Sequence, residues 1–219
     1  MQGILDRLPN TAVLALAGAL VQLVLGLSLG MIAALSRRGL IDRAILLFSL
    51  AGVVTPAFTL GLVLLYFFAF RMGIFPLGGS GSFRALILPA LTLGVPGAAW
   101  YARMFRSAVL NILGEEYIRL ARAKGLPERI VLIRHLLRNA VSPIVAMVGM
   151  DIGVFFGGVL IVERVFAWPG IGEQAWTAIS SNDIPMVMGT VLCAAFFVTL
   201  FNLAGDLVNA AIDPRIKYS

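Results

Sequence analysis

The chain has 219 residues, of which 60% are hydrophobic and only 13% charged, with a mean hydropathy of +0.96. A soluble domain carries roughly a quarter charged residues, so this composition excludes an ordinary globular protein and indicates an integral membrane protein. The net charge of +6 sits in loops between apolar runs, where basic residues set orientation rather than bind nucleic acid.

The apolar runs are long and continuous, which argues for helices that satisfy their own backbone in lipid, not for a barrel of alternating strands. The expected fold class is therefore all-α and integral to the membrane, with about five transmembrane helices. Residues 1–10 form a polar outer segment, and the first apolar run is too long for a removable signal peptide. Spans of the required length of ~20 residues are predicted at 11–35, 44–70, 85–103, 142–162 and 186–210. The third contains Pro89, Pro96 and Gly97, which predicts a kinked or short span and makes Pro96 a candidate for the wall of a translocation path. The patch Gly78-Gly79-Ser80-Gly81-Ser82 reads as a natural outer loop.

Residues 116–143, which begin within the predicted loop 104–141, form a basic, amphipathic island. Glu115 to Lys124 reads as one short helix, with Glu115 and Arg119 spaced as a favourable acid–base pair. Tyr117, Leu120, Ala121 and Lys124 share a face, and Ala121 and Ala123 keep part of the surface low. Gly125 is positioned to stop the helix and Pro127 to begin the next one, with Glu128 in its first turn. Ile130, Ile133 and Leu137 are predicted to form its apolar stripe, and Arg129, Arg134 and Arg138 its charge. Two readings of the island stand side by side: a helix laid into a groove on a cytoplasmic partner, or an interfacial helix on anionic headgroups.

Thirteen Lys and Arg fall on the face that holds loops 36–43 and 104–141 and the tail 213–219, against Arg7, Arg71, Arg84 and Arg164 on the other. The positive-inside rule places the thirteen in the cytoplasm, the N-terminus outside and the C-terminus inside. Asp151 lies about 15 Å along its span from residue 141 at ~1.5 Å per residue. A mid-membrane acid faces a cavity or a partner, so it is the leading path candidate, with an interhelical hydrogen bond or a protonated carboxyl as the alternative. Asp206 is expected to be structural. Glu163 and Arg164 fall at the outer mouth, where they meet a delivering protein or mark the interface. Trp168 and Trp176 fit an outer aromatic belt and Trp100 an inner one. Cys193 is the only cysteine and reads as a small buried hydrophobe; no metal site is expected, because one Cys and one His supply too few ligands.

The segment Glu116, Tyr117-x-Arg119-x-Ala121-Arg122-Ala123-Lys124-Gly125-Leu126, followed by Arg134-His135-x-Leu137-Arg138-Asn139-Ala140 and Pro143, resembles the coupling loop, or "EAA" motif, of type I ABC-transporter permeases. Within them it resembles the dipeptide/oligopeptide/nickel permease family. Arg7-Leu8-Pro9-Asn10-Thr11, Phe166-Ala167-Trp168-Pro169-Gly170-Ile171-Gly172 and Asp213-Pro214-Arg215-Ile216-Lys217-Tyr218 are similar to that family's approach to its second span, its outer re-entrant segment and its ending. The general motif has Glu and Ala where this chain has Arg119 and Leu120. Family members also begin with a further span and a large outer segment, so a short form, a fragment or a start-site error is expected here.

The resemblance implies a permease subunit of an ATP-driven importer in a prokaryotic inner membrane, carrying dipeptides, oligopeptides or a related small solute. It implies a second permease chain in a heterodimer, two cytoplasmic P-loop ATPase subunits, an extracytoplasmic substrate-binding protein and surrounding lipid. The chain has no G-x-x-x-x-G-K-[ST] loop of its own, so it is expected to be a transport subunit without a cofactor and not an enzyme. Two alternatives remain: an ion-coupled secondary transporter using Asp151, and a non-transporting fragment.

Overall fold

The computed structural model describes residues 2–212 except 138, 142–143, 145–146, 149–150, 152–154 and 156–158. Among the described residues all regular structure is helical. Three helices are long and apolar enough to cross a membrane, and a bent pair makes a fourth candidate.

Helix α1 runs Gln2–Leu35 with Pro9 inside it, so residues 2–10 are helical and not a separate segment. One face of α1 is made of small residues: Gly18, Gly26 and Gly30 lie at multiples of four, with the buried Gln22 between them. Glycine at these positions lets α1 approach the long helix α4 (Phe83–Leu113) backbone to backbone, the close packing that takes the place of a hydrophobic drive within lipid. A Cβ on Gly26 would stand 2.5 Å from that of Tyr101, and one on Gly94 would stand 2.6 Å from the Gly18 carbonyl oxygen.

Helix α4 corrects the expectation for residues 85–103. It is unbroken over 31 residues although Pro89 and Pro96 lie within it, and it continues ten residues beyond Arg103. Most of its length is buried against α1 and its neighbours, and packing of that kind supports helices across prolines in membrane proteins. Ser82 caps its start by accepting from the Ala85 N–H.

The predicted span 44–70 is two helices rather than one. Helix α2 (Leu40–Val54) and helix α3 (Ala57–Leu64, continued by a π-helical stretch Leu65–Arg71) meet at a bend of 106°. Pro56 explains it: proline lacks the N–H that would continue α2, and it holds Thr55 in the extended region at φ −77°, ψ 119°.

Helix α5 (Glu116–Ala123) follows α4 after a two-residue turn. Helix α6 (Glu128–Ile130) leads into a π-helical stretch, Val131–Leu137. Predicted span 142–162 lies mostly outside the described residues, as do Pro143, Arg138 and the tail 213–219. Beyond it come α7 (Leu160–Val165), α8 (Ile171–Ser180) and α9 (Ile184–Ile212). Two apolar cores result, one around Leu14, Leu88 and Phe166 at the α8 end, the other around Tyr101, Phe105 and Leu136 toward the α5 end.

Candidate functional site

Helix α5 projects from the end of the bundle and is held by one face. Ile118 is fully buried and Ala121 nearly so, packed on Val131 and Ile112. Tyr117 (41% exposed) and Leu120 (56%) point outward with Glu116, Arg119, Arg122 and Lys124. The predicted face of Tyr117, Leu120, Ala121 and Lys124 is thus divided: Ala121 is the anchor and the others are presented. Glu115, Glu116, Tyr117, Arg119, Leu120 and Ala123 line a shallow open concavity.

The helix ends in a Schellman turn. Leu126 N–H donates to the Ala121 carbonyl and Gly125 N–H to that of Arg122. Gly125 takes φ +75°, and a Cβ there would meet nothing within 4 Å, so backbone conformation alone calls for glycine. Arg122 closes the loop through a two-pronged bond to Glu128, 2.6 and 3.2 Å, and that carboxylate holds the guanidinium above its ordinary pKa. Glu128 rather than Glu115 therefore provides the ion pair of this loop among the described residues. Asn139 donates to the Tyr117 hydroxyl (3.2 Å) and to the His135 carbonyl, joining α5 to the next segment.

The predicted stripe of Ile130, Ile133 and Leu137 is corrected. Ile130 is 42% and Ile133 67% exposed, while Val131 and Leu136, five residues apart, are fully buried. The π-helical turn, with its i→i+5 bonds, moves the buried face off the α-helical period. Leu126 is also partly exposed, so the loop presents apolar side chains on both sides of Gly125.

Asp151 sits where two buried donors converge. Gln22 Nε2 of α1 and the Tyr101 hydroxyl of α4 both donate to its Oδ2 at 2.5 Å. Gln22 and Tyr101 are 3% and 1% exposed, whereas Asp151 is half-buried, and among the described residues no donor meets its Oδ1. Pro96 lies one residue before Gly97, whose missing side chain admits the Gln22 amide.

The segment around Trp168 is held tightly to α1. Glu163 is fully buried; it accepts from the Thr11 hydroxyl (2.7 Å) and from the N–H groups of Gly172 and Glu173 (2.7 and 3.0 Å). Its carboxylate thus caps α8, where the helix dipole favours negative charge. Thr11 accepts in turn from Ile171 N–H. Gly170 and Gly172 are needed for close approach, since a Cβ on Gly170 would stand 2.0 Å from Glu163 Oε1 and one on Gly172 would stand 2.4 Å from Leu160 Cα. Asn10 donates to the Pro169 carbonyl and accepts from Trp168 Nε1.

Trp168 is 3% exposed, so it is a packing residue and not part of an aromatic belt; Trp176 is exposed, under the Arg164 guanidinium. Glu163 is likewise internal rather than at a mouth. Sequence reasoning missed Gln22 and the roles of Thr11 and Glu163; the four-residue spacing of Gly18, Gln22, Gly26 and Gly30 was the readable signal for the first. Among the described residues no group of three or more His, Cys, Asp or Glu could hold a metal.

Residues 26–218 match the family model described as a binding-protein-dependent transport system inner membrane component. The glutathione transport system permease protein of Escherichia coli is 37% identical over 215 residues, covering 98% of this chain and 70% of the relative. Its counterpart in Pectobacterium atrosepticum is 38% identical over 195 residues, covering 89% and 64%. Among solved structures, the MetNI methionine ABC transporter in an inward-facing conformation aligns with a TM-score of 0.79 at 19% identity, over 97% of each chain. An amino acid ABC transporter aligns with a TM-score of 0.74 at 16% identity, over 96% and 94%.

Proposed function

Because the chain belongs to the family of binding-protein-dependent transport system inner membrane components, we propose that it carries dipeptides, oligopeptides or a glutathione-like peptide through the membrane while separate subunits hydrolyse ATP. It is a permease subunit of an ABC importer in the bacterial inner membrane. The finer reading assigns it a second permease chain as heterodimer partner, two cytoplasmic P-loop ATPase subunits at α5, and a substrate-binding protein at the α8 end. The α5 end is then cytoplasmic and the α8 end outside.

The observation that carries this reading is the division of α5. Ile118 and Ala121 root the helix in the bundle, while Tyr117, Leu120 and a set of charges face away from it. Helix-in-groove docking needs such a rooted, half-apolar helix. Glu116, Tyr117, Arg119, Arg122, Ala123, Lys124, Gly125 and Leu126 are the proposed ATPase-facing set, with Ala121 as anchor; Pro143 belongs to the same proposal and lies outside the described residues. Asp151 and Pro96 are proposed for the path, and Trp168, Pro169, Gly170 and Gly172 for the outer segment. The name of the glutathione relatives supports a peptide-like substrate, and a half-buried acid with one oxygen unmet among the described residues suits a peptide amino group.

The test is affinity purification of the tagged chain from its native membrane, with mass spectrometry and an ATPase assay. The expected result is one further permease chain, two P-loop subunits and ATPase activity that the Gly125→Pro variant lacks. Recovery of the chain alone, with uptake driven by an ion gradient, would overturn the reading in favour of a secondary transporter.

A further inference from the structure

Asp42 is 3% exposed and belongs to neither the Asp151 network nor α5. Its carboxylate meets the Arg106 guanidinium in a two-pronged bond, Nε to Oδ1 and Nη2 to Oδ2, both 2.7 Å. Oδ2 also accepts from the backbone N–H of Arg38 at 3.0 Å, at the corner between α1 and α2, where Arg38 takes φ +65°. One carboxylate therefore ties three pieces: the α1–α2 corner, the first turn of α2, and α4.

The position of Arg106 gives the tie its consequence. From Arg106, α4 runs on as helix to Leu113, and only Gly114 and Glu115 separate it from α5. At the other end of α2 the chain bends by 106° at Thr55–Pro56. Between these points α2 touches α4 through Gly52, where a Cβ would stand 2.7 Å from that of Ala99. A close approach of small residues holds the two helices together without a directional bond. A planar guanidinium held on two oxygens fixes register along the seam as well. The Arg106 side chain is partly exposed while Asp42 is buried, and an ion pair in such a setting adds little net stability over apolar packing, which leaves register as its main contribution.

We propose that Asp42 and Arg106 form a coupling strut that makes α2 follow α4 when an ATPase displaces α5, delivering the movement to the bend at Thr55–Pro56. Both are positioning residues, since neither touches substrate or nucleotide. The inference rests on the proposed function, which supplies the ATPase at α5.

The test uses the complete purified transporter with Cys193→Ser, spin-labelled at Leu47→Cys on α2 and Ser107→Cys on α4, both exposed. The inter-label distance is measured by electron–electron resonance with and without ATP and vanadate. With Asp42 and Arg106 intact, one narrow distance is expected in both states. Asp42→Asn and Arg106→Lys are expected to broaden it, or to shift it by about 2 Å in the ATP state, the scale of helix shifts in such transitions. The exchange Asp42→Arg with Arg106→Asp is expected to narrow it again.

Variants as narrow and as invariant as the parent would overturn the strut. If Asp42→Asn does not assemble, Arg106→Lys is read alone; failure of both to assemble makes the pair a folding requirement and overturns the coupling role. A parent complex that purifies without ATPase subunits, or traps no nucleotide with vanadate, overturns the functional reading itself, which is a separate outcome.

Discussion

Gly97 of α4 faces Gln22 of α1 so closely that a Cβ would stand 1.8 Å from Oε1. Gly97→Ala must therefore displace the Gln22 amide, which is itself bonded to Asp151. Overpacking of this kind costs about 1–3 kcal/mol, so the purified complex is expected to melt at a lower temperature, as tryptophan fluorescence would record. Gly125 behaves differently: space around it is open, and only its φ of +75° resists a side chain. Gly125→Ala is expected to cost about 1–2 kcal/mol and leave uptake measurable. Gly125→Pro also removes the N–H donated to Arg122, and uptake in vesicles is expected to disappear. The sequence marks Gly125 well because a helix stop is local. It marks Glu163 and Trp168 poorly, since their partners, Thr11 and Asn10, lie more than 150 positions away.

Single side chains of α5 separate rooting from presentation. Ile118→Ala removes a fully buried side chain from the small core with Val131, at a cost of about 2–5 kcal/mol. Hydrogen exchange is expected to rise across residues 116–126. Tyr117→Ala with Leu120→Ala changes exposed positions and gives up only the exposed Asn139–Tyr117 bond, so the melting temperature should fall by no more than about 4 °C, such changes being worth about 1 kcal/mol. Co-purification of the ATPase subunits is expected to fall by at least about tenfold, the equivalent of ~1.4 kcal/mol. A double variant that retains its ATPases would remove this face from the interface. Elements built on uniform periodicity were legible: α1, α9 and α5 all follow from apolar runs or a local stop signal. The elements that escaped depend on context. Arg103 marks a plausible membrane edge, yet burial carries α4 on to Leu113. Pro56 sits within an apolar run and signals a bend only once its effect on Thr55 is considered. The buried pair Val131 and Leu136 obeys a π-helical spacing that no α-helical stripe reveals.

Across the whole molecule, the α1–α4 seam joins a tightly bonded α8 end to a projecting α5 end, and Asp151 is bonded to that seam between them. The acid is held by donors on both helices, so its substitution distinguishes packing from passage. In Asp151→Asn the amide oxygen still accepts from Gln22 or Tyr101, and the Tyr101 hydroxyl, which both donates and accepts, turns to meet the amide NH2. The network survives in outline while the carboxyl group is replaced by an amide. A path role then predicts unchanged co-purification and melting, with uptake of a labelled peptide reduced about tenfold or more, a rise of ~1.4 kcal/mol in the activation free energy of transport. Tyr101→Phe serves as the control: it frees one bond to Oδ2 but keeps the carboxyl group, so uptake should fall less than in Asp151→Asn. If Asp151→Asn instead abolishes assembly, the carboxylate belongs to the seam, and the path must be sought along other faces of α4.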